Sequence, residues 1–131
     1  MVSRAEDWFK QALRDYEHAR KSAELGDYEW ACFAAHQAAE KAVKALYQVL
    51  GVETWGHSIS RMLANLPEIH GAPKELVEGA KELDRHYIPS GYLNFHPEGA
   101  PFNYYAEADA ERAIRQAGEI IEFARNKIIQ A

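Results

Sequence analysis

Between Asp27 and Gly51 the residues Ala31, Ala34, Ala35, Ala38, Ala42, Ala45, Leu46 and Val49 recur at three- and four-residue steps, with Trp30, Phe33, Val43 and Leu50 beside them. That is the period of an α-helix and not of a strand. The stripe is wide and rich in alanine, and small side chains let neighbouring helices approach closely. A helix from about Tyr28 to Leu50 is therefore expected at the centre of the fold. Asp27 suits its N-cap and Gly51 its end. Its polar face is expected to carry Gln37, Glu40, Lys41, Lys44 and Gln48. Glu40 and Lys44 stand one turn apart, a pairing worth ~0.2–0.5 kcal/mol in an isolated helix.

The remaining segments follow the same period. Ser3 and Glu6 have capping-box spacing, so the first helix is expected to start at Ser3. Trp8, Ala12, Tyr16, Ala19 and Ala23 line its inner face, widened by Phe9 and Leu13, and it should end near Leu25–Gly26. Trp55-Gly56-His57-Ser58 opens a short third helix with Ile59, Met62, Leu63 and Leu66 on its apolar side, closed by Pro67. Pro73 suits the first turn of a fourth helix, which buries Leu76, Val77, Ala80 and Leu83 and carries on to Tyr87. The last helix is expected from Glu107 to Ile129. No segment alternates as a strand would. The expected fold is all-α: an antiparallel up-and-down bundle of four to five helices, one domain over residues 1–131.

With 131 residues the chain can bury roughly 68% of its unfolded surface without staples. One cysteine, Cys32, excludes an internal disulfide, and its apolar neighbours mark it as inert core. No basic-then-apolar leader opens the sequence, and the longest apolar run, Trp30 to Ala35, is too short for a bilayer. A cytoplasmic protein without a membrane contact is expected. The net charge of −5 argues against sequence-independent coating of nucleic acid.

The segment from Asp84 to Tyr105 breaks the helical pattern. It holds three of the five prolines, two glycines, four tyrosines and two histidines. A connection of this length is usually functional, so a long ordered loop before the last helix is the expected site. The plainer reading is that its aromatics plug one end of the bundle. His96 can act as a general acid or base near neutral pH. Asn94, Tyr92 and Tyr87 can donate hydrogen bonds to a phosphate or a base edge, and tyrosine rings can stack on unpaired bases. Arg85 can hold a phosphate in its fork, unless it pairs with Asp84 or Glu82. The candidate catalytic set is His96, Asn94, Tyr92 and Arg85. His57, His70, His86 and His96 lack the spacing of a zinc site, and His36 is read as having no carboxylate one turn away, so no metal is expected. No glycine-rich phosphate cradle or dinucleotide fingerprint occurs, and no cofactor is expected.

Three stretches carry a family resemblance: Asp27-Tyr-Glu-Trp-Ala-Cys-Phe-Ala-Ala-His-Gln-Ala-Ala-Glu-Lys-Ala-Val-Lys-Ala-Leu46, the Trp55-Gly-His-Ser58 turn and Leu83-Asp-Arg-His-Tyr-Ile-Pro-Ser90. The Asn94–Pro101 segment and the acidic start of the last helix match as well. The whole chain resembles the HEPN domain family, and most of all its short stand-alone archaeal and bacterial members. The resemblance implies an up-and-down bundle that forms a homodimer. It implies pairing with a small MNT-type nucleotidyltransferase in a toxin–antitoxin module. Active members are metal-independent RNases with an arginine four to six residues before a histidine, two copies meeting over one cleft.

His96 matches the motif histidine. Gly91 stands where the motif arginine is expected, and Arg85 lies further upstream than the motif spacing. Some members carry a tyrosine two residues after the histidine, modified by the partner enzyme; here that residue is Glu98. The residues expected to hold RNA or nucleotide are Tyr87, Ser90, Gly91, Lys41, Lys44 and His57, with the two lysines near the dimer cleft. Three functions follow from this reading. One is an RNase-type toxin with weakened or absent activity. Another is a non-catalytic nucleotide-binding subunit that docks on a nucleotidyltransferase. The third is a structural dimerisation module.

Overall fold

A computed structural model of the chain describes residues 4–87 and 96–131. Five α-helices follow one another: α1 (Ala5–Glu24), α2 (Tyr28–Leu50), α3 (Ile59–Ala64), α4 (Lys74–Asp84) and α5 (Glu107–Gln130). Two short 3-10 turns, Glu68–His70 and Pro101–Tyr104, lie in the connections. No strand occurs among the described residues. The architecture is the expected all-α antiparallel bundle.

The helix ends follow local chemistry. At the end of α1 the N–H of Asp27 reaches the carbonyl of Ser22 (2.9 Å) and that of Gly26 the carbonyl of Ala23 (3.1 Å). This crossed pair needs a left-handed residue, which Gly26 supplies at φ 83°. Gly51 repeats the device for α2, at φ 69°. Arg4 is the N-cap of α1, one residue later than the capping-box reading, and Ser3 lies outside the described residues. Asp27 does occupy the N-cap of α2, but its side chain makes no cap bond. The N–H of Ala106 donates instead to the Asp109 carboxylate at the start of α5 (2.7 Å).

Helix α2 is the central element, packed against α1 and α5 along its length and touched by α3, α4 and the second 3-10 turn. Thirteen of its residues are buried, seven of them alanine. Leu46, Ile59, Met62, Leu63, Leu83 and Ile120 supply the bulk of the core. Two sequence expectations need correction here. Glu40 is buried at 4% exposure and not on a solvated face. Helix α2 is covered nearly all round, so a carboxylate on it must find partners inside. Leu13 sits at the outer edge of its stripe, 39% exposed. Helix α4 also stops at Asp84, and residues 85–87 continue as a turn.

Candidate functional site around Asp84, Glu40 and His96

Asp84 ends α4 and faces the start of α3. Its Oδ1 accepts from the backbone N–H of Ile59 (2.8 Å) and its Oδ2 from that of Ser60 (3.0 Å). The hydroxyls of Ser60 (2.7 Å) and Ser58 (3.1 Å) donate to Oδ2. The fully buried ring of His36 meets Oδ1 through Nε2 at 3.1 Å. The first turn of a helix presents unpaired N–H groups and a partial positive charge. A carboxylate from another helix satisfies them here, beside the cap that Ser58 makes to the N–H of Arg61 (3.2 Å). Burial pushes the Asp84 carboxyl upward, but the bonds from His36, Ser60 and Ile59 outweigh it and hold it below the ordinary aspartate range.

A second buried carboxylate lies one helical turn from His36. Glu40 Oε1 is 3.9 Å from His36 Nδ1. The expectation that His36 has no carboxylate one turn away is therefore corrected: the i,i+4 neighbour is Glu40. Glu40 also accepts from Lys44 Nζ at 2.9 Å and meets His57 Nδ1 at 3.1 Å. His57 stacks on Tyr87 with ring centroids 4.5 Å apart and planes 17° from parallel. Tyr87 also packs on Phe33 at 6.2 Å and on His36 at 5.2 Å, and Trp30 meets Phe33 edge-on at 6.3 Å. Of the binding residues expected from sequence, His57, Lys44 and Tyr87 thus come together around Glu40. Lys41 turns the other way, into an ion pair with Asp15 of α1.

His96 lies on the far side of the segment that Tyr87 opens. Its imidazole stacks face to face on the ring of Tyr104, centroids 3.9 Å apart and planes 8° from parallel. The segment from His96 to Tyr105 is a tight turn. The Tyr104 hydroxyl donates to the carbonyl of Glu98, and the N–H of Ala100 donates to Asn103 Oδ1 at 2.9 Å. Gly99 has φ 79°, and a Cβ there would meet Asn103 Oδ1 at 3.3 Å. The turn therefore holds the His96 ring in one orientation. Sequence reasoning missed Tyr104, Asp84 and Glu40; only the His36/Glu40 spacing was visible along the chain.

The remaining sequence candidates divide. Tyr92, Asn94, Ser90 and Gly91 lie outside the described residues. Arg85 caps α4 and is exposed, lining a cleft of about 310 Å³ with Lys74, Val77, Glu78, Lys81 and Glu82. Neither plain partner takes it. Asp84 is committed to α3 and His36, and Glu82 is held by Arg112, which keeps the Glu82 carboxyl below its ordinary range. Among the described residues Arg85 forms no ion pair. His86 meets the Tyr105 hydroxyl at 3.4 Å, and burial holds its imidazole below the ordinary histidine range. Cys32 is fully buried and burial pushes its thiol up to about 12, as expected for inert core. No group of three or more metal-ligating side chains occurs among the described residues. No described helix is long and apolar enough to cross a membrane.

A larger cleft, about 780 Å³, opens between the start of α1 and the turn after α2, lined by Trp8, Lys44, Tyr47, Val52 and Trp55 among others. Lys44 Nζ lies 5.7 Å from the Trp8 ring centre. It therefore touches both this cleft and the Glu40 cluster.

Comparison with known proteins agrees with this architecture. The chain is similar to TT1696 from Thermus thermophilus, at 48% identity and TM-score 0.93, covering 96% of this chain and 99% of that one. It is similar to ST0689, an archaeal HEPN homologue, at 45% identity and TM-score 0.83, covering 97% and 99% of the two chains. A more distant relative, from Methanocaldococcus jannaschii, bears the name "Putative toxin MJ1304" and is 25% identical over 95% of this chain and 88% of its own length. The HEPN domain model matches residues 5–127, and the chain belongs to the HEPN domain family.

Proposed function

We propose that this HEPN protein acts on RNA as the toxin-like member of a two-component module. The site is the turn carrying His96, and activity is low because Gly91 replaces the motif arginine. The observation that carries this reading is the His96–Tyr104 stack. A half-buried imidazole fixed in one orientation, on a turn next to the bundle surface, is what general acid–base chemistry on a phosphodiester requires. Family membership and the relative named as a toxin support the same reading. RNA incubated with the pure protein in chelator is expected to be cut slowly, and His96→Ala is expected to abolish the cutting. Cleavage that survives His96→Ala would sink the assignment.

The absence of an arginine at Gly91 and of a tyrosine at Glu98 favours one alternative: a non-catalytic subunit that binds nucleotide and docks on a small nucleotidyltransferase. In either reading the working form is a homodimer. Trp30 (52% exposed), Phe102 (61%) and Trp55 (83%) leave apolar surface that a second copy would cover. Light scattering at micromolar concentration is expected to give about twice the 14.9 kDa of one chain; a monomer mass would refute the dimer.

A further inference from the structure

The cluster around Glu40 has the layout of an acid–base dyad, separate from the turn that carries His96. Glu40 is a buried carboxylate, its side chain 6% exposed, while the imidazole it holds is 51% exposed. Both carboxylate oxygens face His57 Nδ1, at 3.2 and 3.1 Å, and Lys44 holds Oε2 from the other side at 2.9 Å. The Tyr87 ring fixes the plane of the imidazole. An imidazole that donates Nδ1–H to a carboxylate keeps its lone pair on Nε2. Among the described residues Nε2 of His57 makes no hydrogen bond, and the half-exposed ring carries it to the surface. A histidine serving only to pin the turn would gain most by being buried like His36.

We infer that His57 is a second acid–base residue of the RNA site and that Glu40 is its positioning residue. The inference rests on the proposed action on RNA. Tyr87, on which His57 stacks, opens the segment that His96 closes. In the step assigned to His57, Nε2 takes the proton of a ribose 2′-hydroxyl. O2′ bonds to phosphorus, the P–O5′ bond breaks, and the departing 5′-oxygen takes a proton from the imidazolium of His96. The products are a 2′,3′-cyclic phosphate and a 5′-hydroxyl, one proton gained by His57 and one lost by His96. The reaction draws on no metal and no co-reactant. It also gives a chain without the motif arginine a way to share the work between two imidazoles.

The test measures cleavage of an unstructured oligoribonucleotide, in chelator, by the full-length protein and by its Gly91→Arg form. In whichever form cuts, His57→Ala is expected to lower kcat by ~10²–10⁴-fold with little change in KM. Added imidazole is expected to restore part of the rate, and the acid limb of the pH–rate profile should vanish. Glu40→Gln is expected to lower kcat while keeping that limb. Wild-type rates from His57→Ala would overturn the inference and leave the RNA reading standing. So would a loss that imidazole does not rescue and that leaves the acid limb in place. No cleavage by either parent form would overturn the RNA reading, and this inference with it.

Discussion

Replacing Asp84 by alanine is expected to destabilise the fold by about 3–5 kcal/mol, the usual cost of removing one partner from a buried charged network. The loss is large because the removed group has no substitute. The N–H groups of Ile59 and Ser60 and the ring of His36 all lose their acceptor together, and the His36 site admits no water. For a chain of this size that corresponds to a fall in Tm of roughly 10–20 °C. Asp84→Asn keeps one acceptor oxygen and should fall between. The acid dependence has a fixed sign. Asp84 titrates below its ordinary value of 3.8 when folded, so it contributes its full stabilisation above that pH. The contribution is lost as pH falls through the depressed folded value. The stability gap between the wild type and Asp84→Asn is therefore expected to be constant near neutrality and to close in acid below about pH 4. Thermal unfolding followed by circular dichroism at several pH values measures both effects. A Tm change of less than about 3 °C for Asp84→Ala would show that the α3–α4 junction does not depend on this carboxylate.

Restoring a cation at position 91 is expected to raise RNA cleavage by ~10²–10³-fold, the scale on which a single preorganised donor stabilises charge in a transition state. Gly91 has neither a charge nor a side-chain donor, and Arg85, eleven positions before His96, lies on the exposed end of α4. In the proposed reading the phosphate therefore lacks its strongest partner while the imidazole remains in place. Gly91→Arg supplies a bidentate guanidinium at the family's spacing. The comparison is made in chelator, with Gly91→Arg/His96→Ala as control. A strong gain that the control abolishes would identify the scaffold as an RNase lacking one group. Equal rates from the wild type and the Gly91→Arg variant would mean that another cation already serves the phosphate. Inactivity of both would favour the nucleotide-binding, partner-docking alternative.

The bundle was largely legible from periodicity, because helix spacing is a local property. The limits of α2, Tyr28 and Leu50, match the structure, and α5 runs one residue beyond the expected end at Ile129. Misreadings gather where distant segments meet. Asp84 serves Ile59, Ser60 and His36, residues 24 to 48 positions away, and no window along the chain displays such a partnership. Glu40 reads as part of a solvated face because a charge usually lies there. Its burial follows from three partners, His36, Lys44 and His57, of which only the first two sit on its own helix. The role of Tyr104 requires knowing that the chain doubles back between His96 and Tyr104, which the positive φ of Gly99 and the Asn103 bond bring about. The resemblance to HEPN proteins supplies His96 as a candidate. It says nothing of the ring that holds it.

The alanine lining of α2 makes the protein's response to mutation directional. Seven of the thirteen buried residues on that helix are already reduced to a methyl group. Such positions have almost no side-chain volume to lose, so the familiar damage of a hollowed core is confined to the few large residues, Leu46, Ile59, Leu83 and Ile120 among them. Growth is the hazard instead: one added isopropyl group at Ala35 or Ala42 must force backbones apart, because no flexible side chain stands between them to yield. Alanine also freezes no side-chain torsion on folding, so these contacts form at little entropic cost. A sequence drifting under selection for this fold is therefore free to vary at the rim and held to the smallest residues along its axis.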